Sequence, residues 1–79
     1  MSKVVVRYWA AARAATGVDE DRFDASTAGD AIAASVEAHP ALEEVLKVAT
    51  LLVDGRRADS GAELADGSIV EVLPPFAGG

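Results

Sequence analysis

Two β-rich segments bracket this chain and constrain its fold more than anything between them. Val4-Val5-Val6-Arg7-Tyr8-Trp9 is β-branched and aromatic, while Ile69-Val70-Glu71-Val72-Leu73 alternates until Pro74-Pro75 ends it. Successive strand residues point to opposite faces. Val4, Val6 and Tyr8 then share one face of the first strand, leaving Val5, Arg7 and Trp9 on the other. In the last strand Val70 and Val72 face the core, with Ile69, Glu71 and Leu73 outside. The chain has 79 residues, enough for one domain. A domain of that size buries only about 60% of the surface its unfolded chain exposes. Side by side at the centre of one sheet, the two strands would fit a β-grasp architecture, one topology among several that the pattern permits.

The stretch between them reads as helices and shorter strands. Ala10 to Ala15 holds strong helix formers, and Gly17 ends them as a C-cap would. Asp19-Glu20-Asp21 begins a solvated turn, and Arg22-Phe23-Asp24-Ala25 alternates as a short edge strand. Ser26 or Thr27 caps a second helix, with Asp30 three residues past Thr27 in a capping-box arrangement. Ala28, Ile32 and Val36 give that helix an apolar stripe, and Pro40 closes it. Ala41 to Lys47 continues as a short helical turn with Leu42, Val45 and Leu46 inward. Val48 to Val53 is a third long strand, Asp54-Gly55 a hairpin turn, and Arg57-Ala58 its short return. A second turn, Asp66-Gly67, leads into the last strand. The predicted class is α+β, a mixed sheet of about five strands packed on one main helix plus short helices. Residues 1–73 form a single domain in this reading, and 74–79 an extended, flexible tail.

Several functions are poorly provided for. There is no cysteine, so a disulfide framework, thiolate zinc ligand or thiol nucleophile is excluded, and a reducing cytoplasm suits the chain. A net charge of −6 disfavours contact with nucleic-acid phosphates and favours a partner with a basic face. No apolar run approaches the ~20 residues of a membrane span. His39, the lone histidine, is expected at a helix end as a surface or C-cap residue. Arg56-Arg57 reads as exposed charge, no metal site is expected, and no bound cofactor is implied.

What remains is Leu73-Pro74-Pro75-Phe76-Ala77-Gly78-Gly79. Pro74 and Pro75 fix φ and lack N–H donors, so they end the sheet ladder and project the last four residues in extended form. Gly78 and Gly79 have no side chains, and that peptide could thread a channel too narrow for a Cβ. The group delivered is the α-carboxyl of Gly79. At neutral pH a carboxylate is ionised and a poor electrophile, its reference pKa being about 3.3–3.7. An ATP-dependent partner could convert it to an acyl-adenylate, and a sulfur nucleophile would then leave a thiocarboxylate. Without an internal cysteine, nothing in the chain captures the activated end as a thioester.

Tyr8-Trp9-Ala10-Ala11-Ala12-Arg13-Ala14-Ala15-Thr16-Gly17, Leu64-Ala65-Asp66-Gly67 and the Pro-Pro-Phe-Ala-Gly-Gly ending together resemble the family of molybdopterin synthase small subunits (MoaD). The likeness covers essentially the whole chain. It implies a ubiquitin-like β-grasp fold and a Gly79 adenylated with ATP by an E1-like adenylyltransferase, then thiocarboxylated with sulfur from a sulfurtransferase or cysteine desulfurase. The tail, Pro74 to Gly78, would enter the active site of a large subunit holding the catalytic residues, and cyclic pyranopterin monophosphate would receive the sulfur. The synthase would be a heterotetramer around a large-subunit dimer. Phe76 departs from the smaller aliphatic residue usual there, which leaves open a roomier channel or a paralogous partner. Carriers for thiamine or amino-acid biosynthesis, and ubiquitin-like modifiers, use the same kind of terminus. Trp9, Ile69 and Leu73 are the expected partner interface, with the alternative that Trp9 folds back onto the Ala10–Ala15 helix.

Overall fold

A computed structural model describes residues 1–75; Phe76, Ala77, Gly78 and Gly79 lie outside the described residues. The elements run β1 (Ser2–Tyr8), α1 (Ala11–Thr16), β2 (Glu20–Ala25), α2 (Ala28–Ala38), α3 (Leu42–Leu46), β3 (Thr50–Val53), β4 (Arg56–Arg57) and β5 (Ile69–Leu73). They form one mixed sheet in the order β2-β1-β5-β3-β4. β1 and β5 run parallel at its centre, with Val6 beside Val70 and Tyr8 beside Val72. The other pairings are antiparallel.

One face of this sheet is the core. Val4, Val6 and Tyr8 are buried on β1, as are Val70 and Val72 on β5, which is the alternation expected of both strands. Ala12, Ala31 and Leu42 cover them from the three helices. The small alanines let the helices approach closely, at the cost of less apolar area per residue than leucine would bury.

The two central strands are pinned by side chains as well as by their ladder. The Asp66 carboxylate accepts the Lys3 N–H at 2.8 Å, and the Gly67 N–H donates to the Lys3 carbonyl at 2.8 Å. Asp54 and Gly55 take positive φ of 50° and 82°, the pair of left-handed conformations that a tight hairpin requires and glycine supplies without strain. The Asp54 carboxylate then reaches across, accepting from the Ile69 N–H at 2.9 Å and the Ser68 hydroxyl at 3.1 Å. The start of β5 is thus fixed from both sides.

Thr27 caps α2 as expected, its hydroxyl accepting from the Asp30 N–H at 3.2 Å. The buried face of α2 is Ala28, Ala31 and Ser35, with Ile32 and Val36 only partly covered. The expected stripe is therefore rotated by one residue, and Ile32 packs at the margin of the core beside a hollow that Leu46 and Leu51 also line. The strand expected from Val48 begins at Thr50; Val48 is 63% exposed, and its N–H bonds back to the Val45 carbonyl, prolonging α3 instead. The return strand is Arg56–Arg57, one residue earlier than Arg57-Ala58, because the tight turn leaves only Asp54 and Gly55 unpaired. Asp19-Glu20-Asp21 is only partly a turn. Glu20 and Asp21 pair with Arg7 and Val6 and so belong to β2. They are held there by side-chain contacts that the alternation of Arg22 to Ala25 does not reveal.

Candidate functional site

The candidate site lies where β5 stops. Leu73 pairs with Thr50, Pro74 is half-buried and Pro75 is exposed. On the outer sheet face the register sets Ile69 beside Val5, and Glu71 between Arg7 and Leu52. Trp9 continues β1 alongside this end, its N–H donating to the Val72 carbonyl at 3.1 Å. Its side chain is 47% exposed, and its indole N–H donates to a Glu71 oxygen at 2.9 Å. Trp9 thus turns outward and not onto α1.

Of the three expected interface residues, Trp9 and Leu73 stand together at the root of the tail. Ile69 lies two register positions away with Val5, and the charged pair Arg7 and Glu71 intervenes. The outer face is two apolar spots divided by a polar bar. The expected tail residues Phe76, Ala77, Gly78 and Gly79 lie outside the described residues, so the chemistry rests on their sequence.

A cavity of about 190 Å³ beside Trp9 is lined by Arg7, Tyr8, Arg13, Asp19 and Glu20 as well. Both arginines are already partnered, Arg7 by Glu20 at 3.3 Å and Arg13 by Asp19 at 2.7 Å. The hollow therefore offers no free cation to an anionic ligand. Among the described residues no cluster of histidine and carboxylates could hold a metal ion, and no helix is long and apolar enough to cross a membrane.

Sequence reasoning missed one polar cluster. Asp21 Oδ2 accepts from the Tyr8 hydroxyl at 3.0 Å and lies 2.6 Å from His39 Nε2, while the two rings meet edge to face at 5.9 Å. His39 does cap α2, its N–H bonding the Ser35 carbonyl, but its side chain is only 20% exposed and not a surface group. The available signal was Tyr8 itself, since a tyrosine at an inward strand position needs an acceptor for its hydroxyl. The cluster ties β1, β2 and the end of α2 together behind Trp9. Burial, before any other cause, pushes the Tyr8 phenol from 10.0 up to about 12; the Asp21 carboxylate adds to this and the Ser35 hydroxyl opposes it. A raised pKa means the folded state holds the proton more tightly than the unfolded one. The resulting stability is full below about pH 10 and is lost as pH rises through about 12. Tyr8 is the only tyrosine, so an alkaline absorbance titration reads it directly. The expected midpoint in the folded protein is near 12, and a midpoint at 10.0 would remove the buried phenol from this picture.

An acidic domain with a mixed sheet, its first and last strands parallel at the centre and its final strand running out through two prolines, is a ubiquitin-like β-grasp domain. The chain belongs to the ThiS family, whose model matches residues 6–79. It is 33% identical over 82 residues to the molybdopterin synthase sulfur carrier subunit of Chlamydomonas reinhardtii, covering 98% of this chain and 99% of that protein. SAMP1, small archaeal modifier protein 1 of Haloferax volcanii, superposes with a TM-score of 0.86 at 30% identity, covering 99% of this chain and 100% of that one. SAMP1 of Methanosarcina acetivorans shares the fold with a TM-score of 0.90 at 23% identity, over 100% of this chain and 98% of its own. The resemblance read from the sequence holds at the level of fold and family.

Proposed function

We propose that this chain is the sulfur-carrier subunit of a molybdopterin synthase. The reading is carried by similarity to the Chlamydomonas carrier subunit along nearly the full length of both chains. It is supported by a family match that runs through Gly79. An E1-like adenylyltransferase joins the Gly79 carboxylate to the AMP portion of ATP and releases pyrophosphate. Sulfur supplied by a sulfurtransferase or cysteine desulfurase then displaces AMP, leaving a thiocarboxylate. In the large subunit the sulfur passes to cyclic pyranopterin monophosphate, and two carriers are consumed for each dithiolene. Catalytic groups belong to the large subunit, so this chain is a donor and not an enzyme alone.

Each part of the chain has a task in that sequence. Pro74 and Pro75 restrict the backbone where the tail leaves the sheet, so less conformational freedom is lost when it is bound. Phe76, Ala77 and Gly78 thread toward the reacting centre. Trp9 and Leu73 meet the large subunit beside the tail, with Ile69 at the rim. Intact-mass analysis tests the reading. Incubation with the activating enzyme, ATP and a sulfur source should replace one oxygen by one sulfur at the chain terminus. A mass that never changes under those conditions sinks it.

A second reading is favoured by the likeness to the Haloferax modifier. The same adenylate would then be attacked by a lysine amine, giving an isopeptide bond. Captured protein adducts ending in Gly79, with no pterin product formed, would select it.

A further inference from the structure

The edge of the sheet opposite the hairpin is an open strand, and it is self-complementary. Among the described residues β2 has a neighbour on one side only, β1. The Tyr8 N–H donates to the Asp19 carbonyl at 2.9 Å, and the uniform antiparallel register continues through Val6 with Asp21, Val4 with Phe23 and Ser2 with Ala25. Alternation of bonded and non-bonded pairs then turns the backbone N–H and C=O of Glu20, Arg22 and Asp24 away from β1. Beside this edge a cavity of about 390 Å³ lies between Phe23 and Ala34, Glu37 and Ala38 of α2. An unpaired edge next to an apolar hollow is a template for another strand.

We propose that β2 pairs antiparallel with β2 of a second copy of this chain, about a two-fold axis through Phe23. In that register Arg22 faces the partner's Asp24 and Asp24 faces the partner's Arg22, on the outer sheet face. Four charges of alternating sign close a quartet. On the inner face Phe23 lies directly opposite its own copy at a non-bonded position, where Cα atoms approach to about 4.5 Å and aromatic pairs interact well. The hollow beside α2 receives the partner's ring. Charges on an edge ordinarily discourage pairing, but here they select one register. A shift of two residues in one direction sets Arg22 against Arg22 and Glu20 against Asp24; in the other it sets Asp24 against Asp24. A shift of one residue turns the bonding groups of one strand away from those of the other. β1 lies between this edge and β5, so the pairing leaves Leu73 uncovered.

Sedimentation equilibrium of the full chain across a wide concentration range reads the association. Arg22→Asp alone and Asp24→Arg alone should each dimerise about tenfold more weakly, since two favourable cross-strand pairs become repulsive. An equimolar mixture of the two variants should recover the native affinity as a heterodimer, because every facing pair is again of opposite sign. Phe23→Cys adds a thiol to a chain that has none, and oxidised glutathione should link two copies through it, whereas Glu20→Cys should stay unlinked. A chain that remains monomeric throughout overturns the proposal. So does a dimer that both single variants retain, or an edge that takes up a basic extended peptide while no dimer forms.

Discussion

Adding one residue after Gly79 should reduce sulfur transfer by at least a hundredfold while leaving the melting temperature unchanged. In the proposed function the reacting group is the α-carboxyl, and an extra residue moves it by about 3.3–3.6 Å along an extended chain. A misplacement of 1 Å can already cost on the order of a hundredfold when reacting atoms must be aligned. Deleting Gly79 withdraws the group by the same distance and should be as damaging. Neither change touches the fold, because the core closes with Val70 and Val72 on β5 and the sheet ends at Leu73. Single-turnover assays with a preformed large subunit, alongside thermal unfolding, separate the two effects. An extended chain that transfers sulfur at the native rate would refute the carrier chemistry itself and not merely the choice of partner.

The second large effect concerns docking. Leu73→Glu should weaken binding to the large subunit by about 2 kcal/mol or more, as truncating or charging a central interface residue commonly does. Leu73 is half-buried on the outer face, beside Trp9 and just before the tail, and it is not among the buried core residues. Its replacement adds a carboxylate to a face that already carries Glu71, without opening a cavity inside. The variant should unfold at nearly the native temperature and still accept an adenylate from an activator that binds elsewhere. Titration calorimetry decides the matter. Native affinity in Leu73→Glu would move the interface off this face, whatever the fate of the sulfur.

The elements legible in the sequence were those whose pattern is local. Val4, Val6 and Tyr8 declare a strand with one buried face, and Val70 with Val72 declares another. The Asp54-Gly55 turn and the Thr27 cap announce themselves by residue type, because each demands a special backbone conformation or a free donor. Less legible were features decided by what lies across the fold. Glu20 and Asp21 look like loop residues until Arg7, Tyr8 and His39 supply their partners. The α2 face turns by one position, burying Ala31 and Ser35 in place of Ile32 and Val36, a choice made by how the helix sits on the sheet and not by its own spacing. Alternation alone puts Trp9 and Leu73 on the outer sheet face, where the structure has them. Glu71 between Ile69 and Leu73 is legible in the same alternation, whereas its meeting with Arg7 is not, since no local pattern specifies the register of a parallel pair. The chemistry assigned to Gly78 and Gly79 still rests on sequence and family.

The parallel pairing of β1 with β5 also bears on how the protein is made. A ribosome releases Ser2–Tyr8 first and Ile69–Leu73 more than sixty residues later, yet each is the other's neighbour at the centre of the sheet. Until the later strand emerges, β1 has only β2 beside it, and Val6 and Tyr8 lack their strand neighbours Val70 and Val72. Pairing of such distant segments is slow, because the loop between them must be closed before any contact compensates for it. A chain cut short before Val70 lacks Val70 and Val72 from its core and the strand that joins β1 to β3. The late strand that completes the sheet is also the one from which the proposed Gly79 donor extends, so under that reading a chain lacking it has neither a finished core nor a donor group.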